Sequence, residues 1–296
     1  MKLSFCPLCQ STTLRSWFSI EHSTIVRCTE CSLVMSNPQP DDGMLRKIYD
    51  ASYFIGSDTD VLRDQSNKLK RGTARLQLAD ISSYLGIDKI AQAHPQLLEI
   101  GCGLGNFLVE ARQLGFDVHG VDLSESAVAT ANAALGEERA QAGQVEELGF
   151  TKHSFDIVVL ADVIEHVRDP IDFLKYVQGL IKPGGILFMA IPSLDSLSAR
   201  AMGRYWVEFK LEHLYYFNRE TLTRLMDVCG FEDIALTPGR KMLSLDYIIA
   251  HFEQFPVPIL IYLMRGLSRV LPKRCLSHPM RIVASGINAI ARAPKT

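Results

Sequence analysis

Nowhere does the 296-residue chain run to the ~18 consecutive apolar residues that a membrane-crossing helix needs. The opening residues, MKLSFCPLCQ, lack a basic segment followed by a long apolar one, so no export signal is expected and the chain reads as cytoplasmic. A surplus of one charge is missing as well. With 31 Lys+Arg against 33 Asp+Glu, no global field recruits nucleic acid or an anionic surface. Cysteine is sparse and odd in number, 7 in all, which is poor arithmetic for a secreted disulfide framework. Internal repeats and low-complexity stretches are also absent. What remains is enough chain for one well-buried core plus accessory pieces.

Four of the cysteines form two C-x-x-C pairs. Cys6 and Cys9 are separated by 18 residues from Cys28, which pairs with Cys31, a spacing in the zinc-ribbon range. Four thiolates make a closed tetrahedral site without an open position, so a structural Zn2+ is expected, with iron or a disulfide pair as the alternatives. The turn-rich stretch SNPQPDDG ends this unit, giving a ribbon over 1–40. LRKIYD and LKRGTARLQLADISSYL then space apolar residues three and four apart, a helical lead-in within 41–95.

From residue 96 the pattern changes to short apolar runs alternating with helical ones: LLEI, NFLVEARQLG, DVHGVD, SESAVATANAALG, FDIVVLAD, DPIDFLKYVQGL, GILFMAIP. This alternation predicts βαβ units and an α/β, Rossmann-like, doubly wound, seven-stranded sheet over 96–296. Ser124 is placed to cap a helix, Gly115 and Gly136 to end helices, and Asn218 to start RETLTRLMDVCG, which Gly230 closes. FEDIALTP reads as a strand, 244–284 as a helical insertion, and GINAIARAP as the last strand.

The segment LLEIGCGLGNFL puts Gly101, Gly103 and Gly105 between a strand and a helix, where the backbone can turn tightly and approach a ligand. A dinucleotide fingerprint requires a third glycine at 106, and this chain has Asn106. Glu99 also argues against a pyrophosphate, because a carboxylate beside phosphates is repulsive in a low-dielectric cleft. Asp122, ending the next strand, can accept bonds from both hydroxyls of a ribose. A nucleoside with a cationic tail satisfies both acids.

E-x-G-x-G-x-G followed by an acid after the second strand resembles the class I S-adenosylmethionine-dependent methyltransferases. FDIVVLADVIEHVRDP and LIKPGGILFMAIPS are similar to the fourth-strand and fifth-strand blocks of their small-molecule members, such as the ubiquinone O-methyltransferase type. The likeness covers roughly residues 96 to 240. It implies S-adenosylmethionine as cofactor, with Gly101, Gly103 and Gly105 along the methionine part, Asp122 on the ribose and Leu123 flanking the adenine. Where the family often has G-D-A-E, this chain has GQVEE, so Gln144 stands in for a carboxylate at the adenine amine. The cofactor-binding set so implied is Glu99, Gly101, Cys102, Gly103, Gly105, Asp122, Leu123, Gln144, Val145, Ala161 and Asp162.

Methyl transfer is an in-line displacement, for which alignment does much of the work, and a hydroxyl acceptor gains from a general base. His166 in ADVIEHV and His213 in WVEFKLEHLYYFNRETL are the candidate catalytic residues. Each is equally a candidate for a buried histidine bonded to backbone. Asp162, Glu165 and His166 would share one helical face, and with His213 such a set could hold a divalent cation, as in the similar cluster of small-RNA 3′-terminal 2′-O-methyltransferases. Charges at a helix start are otherwise structural. Trp206, Phe209, Tyr215, Tyr216 and Phe217 suggest a lid over the acceptor, with Trp206 expected on the substrate side and Phe217 in the core. The Asp/Asn-Pro-Pro-aromatic tetrad of methyltransferases acting on base amines is missing, which disfavours that chemistry.

CPLCQS…VRCTECSLVMSNPQP followed by IYDASYF is similar to the zinc-ribbon leader of bacterial methyltransferases of glycan and natural-product pathways. These likenesses imply a small-molecule, glycan or lipid-linked acceptor, the last suited to the insertion at 244–284, with O-methylation expected first and C- or N-methylation of a biosynthetic intermediate close behind. Tyr49 and Tyr53 are candidates to close over the cofactor. A zinc-ribbon RNA methyltransferase is the alternative, although only Lys2, Arg15 and Arg27 are basic within the first 31 residues. A non-catalytic cofactor-binding module is another. In the insertion, PVPILIYLM leads into Arg265, Arg269, Lys273 and Arg274, a composition fit for a membrane interface, a cap, a dimer contact or ordinary packing.

Overall fold

Runs such as LLEI and FDIVVLA lack a polar face, so each must be covered on both sides, and the chain buries them as neighbouring parallel strands. The computed structural model describes residues 1–20, 23–48, 60–85, 94–254 and 260–295. Strands β1 (Leu14–Ile20), β2 (Ser23–Cys28) and β3 (Val34–Asn37) come first, then helices α1 (Asp42–Ile48) and α2 (Asp60–Leu85). Alternation follows: β4 (Gln96–Ile100), α3 (Asn106–Gln113), β5 (Asp117–Asp122), α4 (Glu125–Leu135), β6 (Ala140–Ala142), β7 (Phe155–Ala161), α5 (Pro170–Leu180) and β8 (Ile181–Pro192). The chain ends with α6 (Leu197–Met202), β9 (Tyr215–Tyr216), α7 (Arg219–Val228), β10 (Glu232–Leu243), α8 (Leu245–Gln254), α9 (Leu260–Val270), α10 (Lys273–Leu276) and β11 (Met280–Arg292).

The large sheet has seven strands, as the sequence predicts, and their order is β10-β11-β8-β7-β4-β5-β6. β4 to β8 run parallel, while β11 runs antiparallel to both β8 and β10. Successive residues of the central strands feed opposite layers. Leu98, Ile100, Val158 and Leu160 pack with Phe173, Leu174 and Val177 of α5 and with Leu222, Leu225 and Met226 of α7. Leu97, Ile157 and Val159 pack with Leu78 and Ile81 of α2 and with Phe107, Leu108 and Ala111 of α3. Each such side chain contributes ~1.5–3 kcal/mol relative to exposure. The helix signals sit where their chemistry predicts: Ser124 caps α4 and Gly136 (φ 74) ends it, Asp169 and Pro170 start α5, and Asn218 starts α7 with a reciprocal capping box.

Two expectations are corrected. The last hairpin is longer than the sequence suggested, with β10 reaching Leu243 and β11 starting at Met280, so 280–284 is strand and the helices of the insertion lie within 245–276. The pairing Arg240↔Val283 to Leu243↔Met280 satisfies backbone groups that the local pattern left ambiguous. The ribbon, moreover, is no separate knob. Its sheet has the order β1-β2-β3-β9, and its fourth strand, Tyr215–Tyr216, comes after the central strands of the large sheet.

Candidate functional site

The glycine loop is built by the strand it leaves. Gly101 N and Cys102 N donate to the Val121 carbonyl at 2.7 and 3.0 Å, and Gly103 N donates to Asp122 Oδ2 at 2.8 Å. Gly101, Gly103 and Gly105 all adopt positive φ (78°, 50° and 76°), which side chains resist. A Cβ on Gly101 would meet Val163 Cγ2 at 2.6 Å, and one on Gly105 would meet Ala131 Cβ at 2.8 Å. Beneath the loop Glu99 is buried, its Oε2 without a hydrogen-bond partner, and burial together with the Asp122 charge pushes its carboxyl well above the ordinary range. A buried acid in this state asks for a cationic donor.

Asp122 ends the neighbouring strand in register, since Ile100 pairs with Val121. Its Oδ1 accepts from Ser124 N at 2.9 Å, which leaves lone pairs on both oxygens for further donors, and burial raises its carboxyl. Leu123 beside it is 65 % exposed. Gln144 is also exposed, its Nε2 donating to Glu147 Oε1 at 3.2 Å, and Val145 is buried, its carbonyl accepting from the Tyr176 hydroxyl at 3.0 Å. Cys102 is buried, and Ala161 ends β7 half-buried. These positions share the carboxyl end of the sheet, where α/β folds open toward ligands.

Across that end, the turn after β7 carries the second group. Asp162 takes φ 55° and the helical turn begins only at Ile164, so Asp162 does not share a face with Glu165 and His166. Its carboxylate meets Lys241 Nζ at 3.3 Å instead. Glu165, His166 and His213 do come together, one donor atom of each lying within 4.8 Å of the others, close enough for a cation. The His166 and His213 rings stand edge to face at 4.7 Å. His166 Nδ1 lies 3.1 Å from the Glu212 carbonyl, and burial holds its ring down to about 4. His213 is likewise lowered by burial, and its Nδ1 has no hydrogen-bond partner. Both oxygens of Glu165 are buried and unpartnered, and burial with the Asp162 charge raises its carboxyl well above the ordinary range.

Comparison with known proteins decides the family. The profile described as "Methyltransferase domain" matches residues 65–236, more than half of the chain. The chain belongs to the methyltransferase-domain family. A ubiquinone biosynthesis O-methyltransferase of Caulobacter vibrioides is 37% identical over 120 residues, covering 39% of this chain and 47% of that protein. One from Parvibaculum lavamentivorans is 32% identical over 138 residues, covering 44% and 54%. The chain thus spans about half the length of the curated relatives it matches. A solved structure, a candidate sarcosine dimethylglycine methyltransferase from Galdieria sulphuraria, superposes with TM-score 0.50 at 16% identity over 75% of this chain and 86% of that one, a likeness of fold.

Two features of this methyltransferase-family chain were not legible as site residues. Lys241 from β10 and Glu208 from the segment before β9 join Asp162 at the cleft wall: Lys210 pairs with Glu208 at 3.5 Å, and the Ser285 hydroxyl donates to Glu208 at 3.0 Å. Asp162 holds the Lys241 ammonium up, and Lys210 and Lys241, against the effect of burial, hold Glu208 below the ordinary carboxylate range. Desolvation where it packs on the cleft wall lowers the Lys70 ammonium of α2, with Lys241 pushing the same way and Asp162 opposing. The only sequence clue was the interleaving of Glu208 and Lys210 with aromatics. One of those aromatics, Trp206, was expected on the substrate side. Trp206 is 2 % exposed and packs with Ile25, Val34 and Tyr216, its Nε1 donating to Ser198 Oγ at 3.2 Å, so it does not face an acceptor. Phe217 is in the core as expected, while Tyr49 and Tyr53 lie outside the described residues.

At the other end of the chain, Cys6, Cys9, Cys28 and Cys31 converge, with Cys6 Sγ to Cys31 Sγ and Cys9 Sγ to Cys28 Sγ both 3.5 Å. That is too long for a disulfide and close to the about 3.8 Å edge of a tetrahedron with ~2.3 Å metal–sulfur bonds. The two knuckles are alike: Gln10 N bonds the Cys6 carbonyl and Ser32 N the Cys28 carbonyl, and both residues take positive φ (62° and 65°). Burial pushes the Cys6 thiol up. Against burial, the N–H groups of Cys31 and Glu30 bring Cys28 to about 7.

Proposed function

We propose that this chain is an S-adenosylmethionine-dependent methyltransferase acting on a hydroxyl of a small-molecule, glycan or lipid-linked intermediate. The observation that carries the reading is the unpartnered Glu99 carboxyl beneath three left-handed glycines, with Asp122 a strand away. Glu99 would answer the amine of the methionine part, Gly101, Gly103 and Gly105 would admit its backbone, Asp122 would take the ribose hydroxyls, and Leu123 and Gln144 would border the adenine. Cys102, Val145, Ala161 and Asp162 complete the lining. Bound there, the cofactor supplies a methyl on a sulfonium, open to in-line attack.

The chain's own contribution is a proton acceptor and a dry wall. His213 and His166 are held neutral by burial, and the unpaired Nδ1 of His213 supports it as the base for the acceptor hydroxyl, with the buried Glu165 carboxyl beside it. The cysteine tetrad supports a structural Zn2+. An RNA acceptor has little behind it, since the ribbon carries only Lys2, Arg15 and Arg27 as cations.

Calorimetry with S-adenosylmethionine on the wild type and Asp122→Ala, with NAD as control, tests the central claim. Micromolar binding that falls by ~10–100-fold in the variant, with none for NAD, is the expected result, since two bonds to a charged acceptor are lost. A folded, metal-loaded wild type that binds no S-adenosylmethionine overturns the reading. Binding without turnover on any acceptor class leaves a cofactor-binding module.

A further inference from the structure

We propose that the cysteine ribbon acts as a clamp on residues 203–217, holding His213 over the carboxyl end of the sheet, so that metal loading governs the acceptor half of the site and spares the cofactor half. The inference rests on reading the tetrad as a metal site and His213 as an acceptor-side residue.

β9 has only two residues, too short to hold itself, and its partner is the ribbon's last strand: Val34 pairs with Tyr216 and Met35 with Tyr215. The decisive residue is Leu214, next to His213. Its carbonyl accepts from Ser36 N of the ribbon at 3.0 Å, while its own N–H donates to the Glu165 carbonyl at 2.8 Å. One peptide segment therefore ties the ribbon to the turn that carries Glu165 and His166. Side chains repeat the link. Trp206 and Tyr216 pack on Ile25 and Val34, and Phe209 lies edge-on to Phe18 at 4.8 Å and to Trp17 at 6.2 Å. Arg168, just after the turn, donates to Asp42 at 2.6 Å and to the Pro40 carbonyl at 2.8 Å, fastening the ribbon's exit.

The cofactor loop is held by other means. Its bonds go to Val121 and Asp122, and its helix is met by α2, where Asn106 donates to Asn67 at 3.2 Å and Arg71 and Arg75 both pair with Glu110. A module of about forty residues has little core of its own to order it without metal. Leu33 and Met35 join the buried cluster of Leu98 and Phe173 on one face of the sheet, whereas the glycine loop's helix is packed by α2 on the other. Releasing the metal should therefore loosen 206–217 and leave the glycine loop intact.

Trp206 supplies the readout, because the chain has 2 tryptophans and Trp17→Phe leaves it alone. The full-length, Zn2+-loaded variant is followed by Trp206 emission, by amide exchange and by calorimetry with S-adenosylhomocysteine, before and after chelation, with a thiol assay confirming that the four cysteines are freed. Expected are a red shift of Trp206, a loss of protection across 206–217 of about tenfold or more, and a change in S-adenosylhomocysteine affinity under about threefold. Metal-loaded Ser36→Pro, which removes the N–H to Leu214, should reproduce part of the loosening, and Ser36→Ala, which keeps it, should not. Unchanged emission and exchange after metal release overturn the clamp. So does a chain that takes up no metal, or one in which cofactor affinity collapses together with the loop. If the untreated wild type binds no S-adenosylhomocysteine, the cofactor reading fails on its own account.

Discussion

Glu99 is the residue whose protonation most directly reports the ligand. Folded and empty, it holds its proton more tightly than in the unfolded chain, so stability is lost as pH climbs above the ordinary glutamate range. Glu99→Gln removes that slope: thermal melts of the ligand-free protein should show the variant gaining on the wild type from pH 5 to 8, each as a measured Tm difference. A cationic amine needs the ionised form, so wild-type affinity for S-adenosylmethionine should rise with pH, and the variant should bind ~10-fold more weakly or worse and without that rise. If binding is unaffected by the substitution, Glu99 is only a buried acid. Gly105→Ala makes a second residue-scale prediction. A left-handed alanine costs ~1–2 kcal/mol, and its Cβ would meet Ala131 Cβ at 2.8 Å, so a total near ~2–4 kcal/mol in a urea melt is expected.

Among the elements, α7 shows how local chemistry serves the tertiary frame. Asn218 accepts from Thr221 N at 2.8 Å, and the Thr221 hydroxyl accepts from Asn218 N at 3.0 Å, so the helix starts at Arg219, just past β9, and presents Leu222, Leu225 and Met226 to the core. Asn218→Ala should lower stability by ~1–2 kcal/mol in denaturant titration while leaving S-adenosylmethionine affinity within twofold, roughly the scatter of such measurements. A large loss of affinity would mean that α7 also supports the site. The turn after β7 taught the opposite lesson. ADVIEHV looked like a helix carrying Asp162, Glu165 and His166 on one face, but Asp162 N is drawn to the Ala190 carbonyl at 2.8 Å, and the residue turns left-handed toward Lys241. A partner eighty residues away overrode the local period.

On the scale of the molecule, charge is balanced in total and uneven in place. No acidic residue follows Glu253, while Arg265, Arg269, Lys273, Arg274 and Arg281 follow it and are all exposed, with Tyr262 and Val270 exposed among them at 73 % and 81 %. No helix among the described residues is long and apolar enough to cross a membrane. The expected outcome, if the acceptor is lipid-linked, is co-sedimentation with vesicles containing phosphatidylglycerol and none with neutral ones, lost at about 0.5 M salt where the Debye length shrinks to a few Å. Failure to sediment with either removes the membrane contact and leaves 245–276 as a cap or packing element.

Short-range chemistry was readable in the chain itself. The order of strands and helices, the caps at Ser124, Asn218 and Gly136, the glycine loop with its two acids and the paired cysteines all depend on neighbours within a few residues, and sequence determines those. Three things were decided only by the fold: that Trp206 and Tyr216 pack on the ribbon rather than over an acceptor, that β9 completes the ribbon's sheet, and that Lys70, Asp162, Glu208 and Lys241 share one cleft wall. Each depends on residues far apart in the chain, whose meeting is set by how whole layers stack, and no local pattern carries that distance.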